Sequence, residues 1–184
     1  MTLLLILLAV VVLIALWAIG VYNLLVSLNI RADNAWSDID VQLKRRYDLI
    51  PNLVETVKGY AGHERQTLEA VVNARAKAMN ATGVSEKSGA ENMLAGTLKS
   101  LFALAENYPQ LRANENFLSL QKSLSEIEEA VQSARRYFNA VIRDFNTALQ
   151  VFPNNMLAGM FNFKKRDFFE LASEGERQTP QVKF

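Results

Sequence analysis

No charged side chain occurs in the first thirty residues, and Leu3 to Tyr22 form an almost unbroken apolar run of twenty. Wound as an α-helix, that run is roughly 30 Å long, the thickness of a bilayer's hydrocarbon core. All 20 Lys and Arg and all 19 Asp and Glu lie on one side of it. The run reads as a single-pass membrane anchor over 1–28, marked by Leu3, Leu13, Trp17 and Tyr22. One polar domain over 29–172 and a polar tail over 173–184 follow. Trp17 and Tyr22, near the far end of the run, suit the membrane–water interface, where a ring buries its body and wets its polar edge. Packing against other protein is the alternative reading of both rings.

A cleaved signal peptide begins with a basic segment and has an apolar core of about 7–15 residues. Met1-Thr2 carries no Lys or Arg and the core here is longer, although Ala18-Ile19-Gly20 is a cleavage-like triplet. With no cysteine in the chain, a lipid-modified cysteine is excluded. Basic residues near the span set its direction: none precede it, and Arg31, Lys44, Arg45 and Arg46 follow. The positive-inside rule then puts the N-terminus outside and the domain in the cytoplasm.

The roughly 155 residues after the anchor are enough for one domain with a real core. A net charge of +1 argues against nucleic acid as a partner, because a duplex binder concentrates basic charge on one face. The lack of cysteine removes disulfides, thiolate metal sites and a cysteine nucleophile. The single histidine excludes more. A di-iron bundle needs two Glu-x-x-His motifs. A zincin helix needs His-Glu-x-x-His, and Thr67 stands where the second histidine belongs after His63-Glu64. No G-x-S-x-G elbow or glycine-rich phosphate loop accompanies them. The residues therefore point to no enzyme, no metal and no cofactor. The expected partners are the lipid bilayer, further copies of the chain and other membrane proteins.

From Trp36 onward, apolar residues recur at steps of three and four: Ile39, Leu43, Tyr47, Ile50, Val54, Val57 and Ala61. This is the period of one helical face. Pro51 removes a backbone donor and crowds the preceding turn, so a kink or break is expected there, with helices near 23–50 and 52–79. Gly59 and Gly62 weaken the helix again around His63. Asn80 to Gly89 reads as a loop, and Ser88-Gly89-Ala90-Glu91 has the spacing of a capping box opening a second helix. Asn107-Tyr108-Pro109 ends it. The third helix has the cleanest seam, from Phe117 through Leu124, Ile127, Val131, Phe138 and Phe145 to Leu149, about 35 residues and roughly 50 Å. Pro153-Asn154 caps a short fourth helix. The fold class expected is all-α: an N-terminal transmembrane helix followed by an elongated antiparallel bundle of three long helices and a short fourth.

The chain resembles the LemA family over almost its whole length. The resemblance rests on the N-terminal span ending in Tyr22-Asn23 and on the block from Ala35-Trp36-Ser37-Asp38 through Leu49-Ile50-Pro51-Asn52-Leu53-Val54. It continues at Tyr108-Pro109, Arg135-Arg136-Tyr137-Phe138-Asn139, Phe145-Asn146 and Phe152-Pro153. One departure is Phe138, where the family often has a second tyrosine. The resemblance implies a membrane-anchored, elongated helical bundle of bacteria, usually discussed as a scaffold or in connection with stress. It implies no catalytic residue and no cofactor.

Four surfaces invite a functional reading. Lys44-Arg45-Arg46 is either a solvated or ion-paired face, with Asp38, Asp40 or Asp48 nearby, or a contact for anionic lipid or an acidic partner helix. If the stem is straight, Lys44 stands roughly 25 Å past the membrane end, beyond the reach of lipid charge at a Debye length of about 8 Å. Asp48 and Asn52 either cap the groups that Pro51 frees or line a binding notch. Arg135, Arg136, Asn139, Arg143, Asp144 and Asn146 on the long helix are expected to meet Asp38, Asp40, Glu55 or Asp48 in a polar network fixing the register of the bundle, or else to form a subunit interface. Finally, Phe161, Phe163, Phe168 and Phe169 surround Lys164, Lys165 and Arg166. Such aromatics beside basic residues close the bundle core, join a second copy, or lie on a membrane.

The function expected from these features is a non-enzymatic scaffold whose anchored copies self-associate and organise or remodel the membrane, or recruit partners to it. A monomeric adaptor presenting its bundle to another membrane protein is the alternative, with a membrane hydrolase far behind.

Overall fold

Six helices follow one another in the computed structural model, which describes residues 1–170: α1 (Thr2–Lys58), α2 (Arg65–Asn80), α3 (Gly83–Ala105), α4 (Pro109–Arg112), α5 (Glu115–Ala148) and α6 (Asn154–Met160). No strand occurs among the described residues, so the chain is all-α as its periodicity requires. The polar tail expected over 173–184 lies outside the described residues.

The first helix corrects one expectation. It runs unbroken for 57 residues, through Pro51 and across the boundary at residue 28 between anchor and domain. The break comes eight residues after the proline, at the Gly59–Glu64 turn, where two glycines and His63 leave little to favour helix. The α2–α3 connection is shorter than expected as well. Gly83 takes a left-handed φ of 72° at the start of α3, and the Glu86 carboxylate accepts from the Thr82 amide and hydroxyl at 3.0 and 3.1 Å. Those two bonds hold the Glu86 carboxyl below its ordinary range. The helix therefore starts at Thr82-Gly83, and Ser88 and Glu91 lie inside it, both buried, instead of capping it.

The chain forms two compact units. The first contains residues 1–38 of α1 together with 136–167. Trp36 meets Phe138 at 5.5 Å between ring centroids, while Val21 and Leu25 share a core with Phe145 and Leu149. Rising numbers on α1 thus meet falling numbers on α5, an antiparallel pair, with fully buried Ala32 and Ala35 keeping α1 slim at the contact. The capped fourth helix expected after Pro153 is α6, and it turns Leu157 and Ala158 onto the same core. Its C-terminus closes with Asn162 at φ 57°. The Phe163 amide donates to the Ala158 carbonyl at 2.9 Å and the Asn162 amide to Gly159 at 3.2 Å, the paired bonds of a Schellman ending. That ending folds Phe163 back against Ala158 and the core. Beyond it, Asn146 clasps the backbone of Arg166 by two hydrogen bonds of 2.9 and 3.0 Å, and Arg166 pairs with Asp33 at 2.6 Å.

The second unit contains residues 39–135 and, among the described residues, 168–170. Its core is mostly aliphatic: Leu53 and Val57 from α1, Val71 from α2, Leu94 and Leu101 from α3, Leu111 from α4, and Leu124 and Val131 from α5. Each such side chain fully buried contributes about 1.5–3 kcal/mol. Amid these residues lie several ionisable ones.

Candidate functional site

On α1 the buried positions Ile39, Leu43, Arg46, Ile50, Leu53 and Val57 follow one another at steps of four and three. Arg46 stands where the period calls for an aliphatic residue, and it is 1% exposed. Glu91 holds the same kind of position on α3, three residues before Leu94, and is fully buried. Arg135 follows Val131 by four on α5 and is 8% exposed. Helical geometry thus carries charged groups from three helices into one core.

A buried charge is tolerated only when it is paired and hydrogen-bonded. Arg46 donates through Nη2 to Glu91 Oε2 and through Nη1 to Glu128 Oε2, the latter at 2.6 Å. The Tyr47 hydroxyl donates to the other Glu91 oxygen. Both oxygens of Glu91 are thereby occupied, and α1, α3 and α5 are tied at one level. Burial pushes the Tyr47 hydroxyl up to about 12, against the opposing pull of Arg46 and Arg135. The hydroxyl is therefore a donor at any physiological pH. Lys87 sits 5.8 Å from the centroid of the Tyr47 ring and donates to the Ala78 carbonyl at 3.0 Å.

Arg135 is less well supplied. Its guanidinium lies 4.4 Å from the centroid of Phe169, and its buried Nε has no hydrogen-bond partner, nor has that of Arg46. Burial, and then the charge of Arg46, bring Arg135 down to about 10. The neighbouring Ser88 hydroxyl donates to the Glu170 carbonyl at 2.6 Å, holding the segment that places Phe169 over Arg135. Glu91 is filled and buried, and Glu128, half exposed, pairs with Arg46. Buried pairing of this kind suits the specification of one packing more than added stability.

Of the residues expected in a register network, Arg135 lies in this cluster and Asn146 clasps the Arg166 backbone, while the others stand apart from both. Asp38, Asp40, Asp48, Asn52, Arg136 and Arg143 are exposed, and only Asn139 is half-buried and engaged. The reason is angular, since each residue turns a helix by about 100°. The Ile39–Leu43–Arg46–Ile50 face points inward, so Asp40 and Asp48 point out. Asp48 borders an open groove of about 390 Å³ with Arg45, Ser123 and Glu126. Neither Asp48 nor Asn52 supplies the group that Pro51 frees. That carbonyl, of Tyr47, accepts from Arg75 Nε at 2.8 Å. His63 is exposed in the turn after α1.

The aromatic and basic residues past α6 divide between several roles. Phe169 is buried beneath Arg135, and Phe163 is partly buried in the core of the first unit. Phe161 stacks on Tyr22 at 4.7 Å between centroids yet stays half exposed. Arg166 is ion-paired, while Lys164, Lys165 and Phe168 are exposed. In the apolar run, Leu3, Leu13, Trp17 and Tyr22 are all exposed, and the rest of the protein covers almost none of it. Among the described residues, α1 is the one helix long and apolar enough to cross a membrane.

Magnetosome protein MamQ of Magnetospirillum gryphiswaldense is 25% identical over 189 residues, covering 88% of this chain and 70% of that protein. Magnetosome protein MamQ 2 of Paramagnetospirillum magneticum is 23% identical over the same shares. Protein LemA of Metamycoplasma hominis is 28% identical over 148 residues, 78% of this chain and 66% of the relative. The profile of the LemA family matches residues 35–184, which include every member of the buried cluster, and the chain belongs to that family.

Proposed function

We propose that this protein is a membrane-anchored, non-enzymatic scaffold whose copies self-associate through their helical faces. The assembly organises the bacterial membrane or gathers other proteins on it. The observation that carries this reading is a second apolar stripe on α2. Leu68, Val71, Ala74 and Ala78 face the core, yet Val72, Ala76 and Met79 recur at steps of four and three on an exposed face. That is the spacing of a seam that helices use against one another, and Val72 and Met79 each stand nearly half exposed.

Two further features support the reading. The ionisable core cluster is closed upon itself, which suits a structural task better than a catalytic one. Much of the Phe161–Phe169 segment is spent on Tyr22, Phe145 and Arg135, so less of it is left to present to another protein, as an adaptor requires. Relatives named for a magnetosome fit a protein that works as part of a larger structure. The basic residues after the span favour a cytoplasmic domain.

Because the chain has no cysteine, Val72→Cys and Met79→Cys each introduce a single reporter. Oxidation in intact membranes is expected to yield disulfide-linked dimers for both. Thiols that label readily but never cross-link would overturn the α2 seam.

A further inference from the structure

The first unit carries an apolar ridge that its own core does not use. Between Asp144 and Lys164 the chain has no charged residue. In that stretch, Leu149, Leu157, Ala158 and Phe163 face inward, while Val151, Phe152, Met156, Met160 and Phe161 stand out. Phe152 and Met160 are each 76% exposed. Single exposed apolar residues are commonplace; five in and around one short helix make a patch that calls for an occupant.

The position of the ridge names that occupant. Phe161 stacks on Tyr22, the last residue of the apolar run, and Phe163 lies 6.1 Å from the same ring. Ala18 packs against the core that contains Leu157 and Ala158. Ala18 is one helical turn, about 6 Å, inside the end of the run. If Leu3–Tyr22 spans the bilayer, α6 and the turn before it lie level with the boundary of headgroups and acyl chains. That depth, roughly 5–10 Å into the interface, is where amphipathic helices bury an apolar face. The charge pattern agrees, because exposed Lys164 and Lys165 follow directly, between Phe163 near Tyr22 and Arg166, which is bound to Asp33 farther along α1. Two free ammonium groups there suit anionic headgroups.

We propose that the Val151–Phe161 turn is a second membrane contact, dipping Phe152, Met156, Met160 and Phe161 into the leaflet through which α1 leaves the bilayer, with Lys164 and Lys165 on anionic lipid. This inference rests on the anchor reading of Leu3–Tyr22. A contact at two points would hold the first unit at a fixed tilt, where a single span would let it swivel.

Single-cysteine variants of the full chain test it: Phe152→Cys and Met160→Cys at the ridge, Leu8→Cys within the run and Met93→Cys on an exposed face of α3. Each carries an environment-sensitive fluorophore and is reconstituted in phosphatidylcholine vesicles with or without phosphatidylglycerol. Nitroxide-bearing lipids then report depth. Labels at 152 and 160 are expected to shift to the blue and to be quenched several-fold more by a nitroxide near the glycerol end of the chain than by one near the methyl end. Phosphatidylglycerol should deepen the quenching, and the Lys164→Gln/Lys165→Gln pair should abolish that gain. Quenching at 8 without quenching at 152 or 160 would overturn the proposal and leave the anchor standing. A blue shift at 152 and 160 without lipid quenching would mean that protein, such as a second copy, covers the ridge, which also overturns it. Absence of quenching at 8 would bring down the anchor and the proposal together.

Discussion

Arg75 on α2 donates its Nε to the backbone carbonyl of Tyr47 on α1 at 2.8 Å, and that carbonyl is the one that Pro51, four residues on, leaves without an amide. A proline inside a helix costs a hydrogen bond at that point. Here a side chain from the neighbouring helix replaces it, which is how α1 passes Pro51 without ending.

Arg75→Met should therefore destabilise the protein by about 1–3 kcal/mol, the cost of an unsatisfied polar group in a largely buried setting. In a Pro51→Ala background the cost should shrink, because residue 51 then supplies its own amide. Thermal melts of the four proteins, arranged as a double-mutant cycle, read this coupling. Equal costs in both backgrounds would separate the arginine from the proline.

Glu91→Ala leaves Arg46 with Glu128 alone and the Tyr47 hydroxyl with the Ala78 carbonyl, and should cost about 3 kcal/mol, the low end of the penalty for breaking a buried pair. The double variant Arg46→Met/Glu91→Leu, which discharges the site, should recover most of the loss. Denaturant unfolding followed by circular dichroism measures both. A mild effect of Glu91→Ala would mean that water reaches the cluster and the charges are not locked.

Arg135 gives the opposite expectation. Its guanidinium is buried against a ring with Nε unpartnered, so Arg135→Met should be neutral or stabilising, by up to about 1–4 kcal/mol. A large loss of stability would mean that the attraction of Glu128 and the contact with the Phe169 ring outweigh the burial of its charge.

Tyr47 and Arg135 also act against each other at high pH. With its hydroxyl raised from 10.0 to about 12, the folded protein keeps a proton that the unfolded chain releases. This contribution is whole below pH 10 and is lost as pH climbs towards 12. Arg135, lowered by burial from the ordinary arginine range to about 10, contributes stability at the highest pH that is lost as pH falls through 10. In Tyr47→Phe only the Arg135 dependence remains, so the variant should gain stability relative to the parent from pH 10 to 12. Parallel stability curves across that window would contradict the burial of Tyr47.

The helices were legible because their apolar period is long and regular: the α5 seam from Phe117 to Leu149 can be read residue by residue. The cluster was written in the same period and harder to see. Arg46, Glu91 and Arg135 each fall where the three-and-four rhythm asks for an apolar residue, but beside Lys44 and Arg45 the first looks like surface charge. Glu91, three residues after Ser88, mimics a capping box, and the true start at Thr82-Gly83 shows only once the turn is in view. Pro51 misled for a related reason. Local chemistry says that the helix should bend there, and the compensating Arg75 is 28 residues from the carbonyl it satisfies. Partners that distant come together only through tertiary packing, which no local pattern encodes.

Self-association is the central claim, and the most direct test is the mass of the intact protein in a mild detergent, by light scattering with the micelle subtracted. The scaffold reading predicts a discrete oligomer at micromolar concentration, and a shift to lower mass when Val72→Glu places a charge in the exposed α2 stripe. A monodisperse monomer for the parent protein would contradict it.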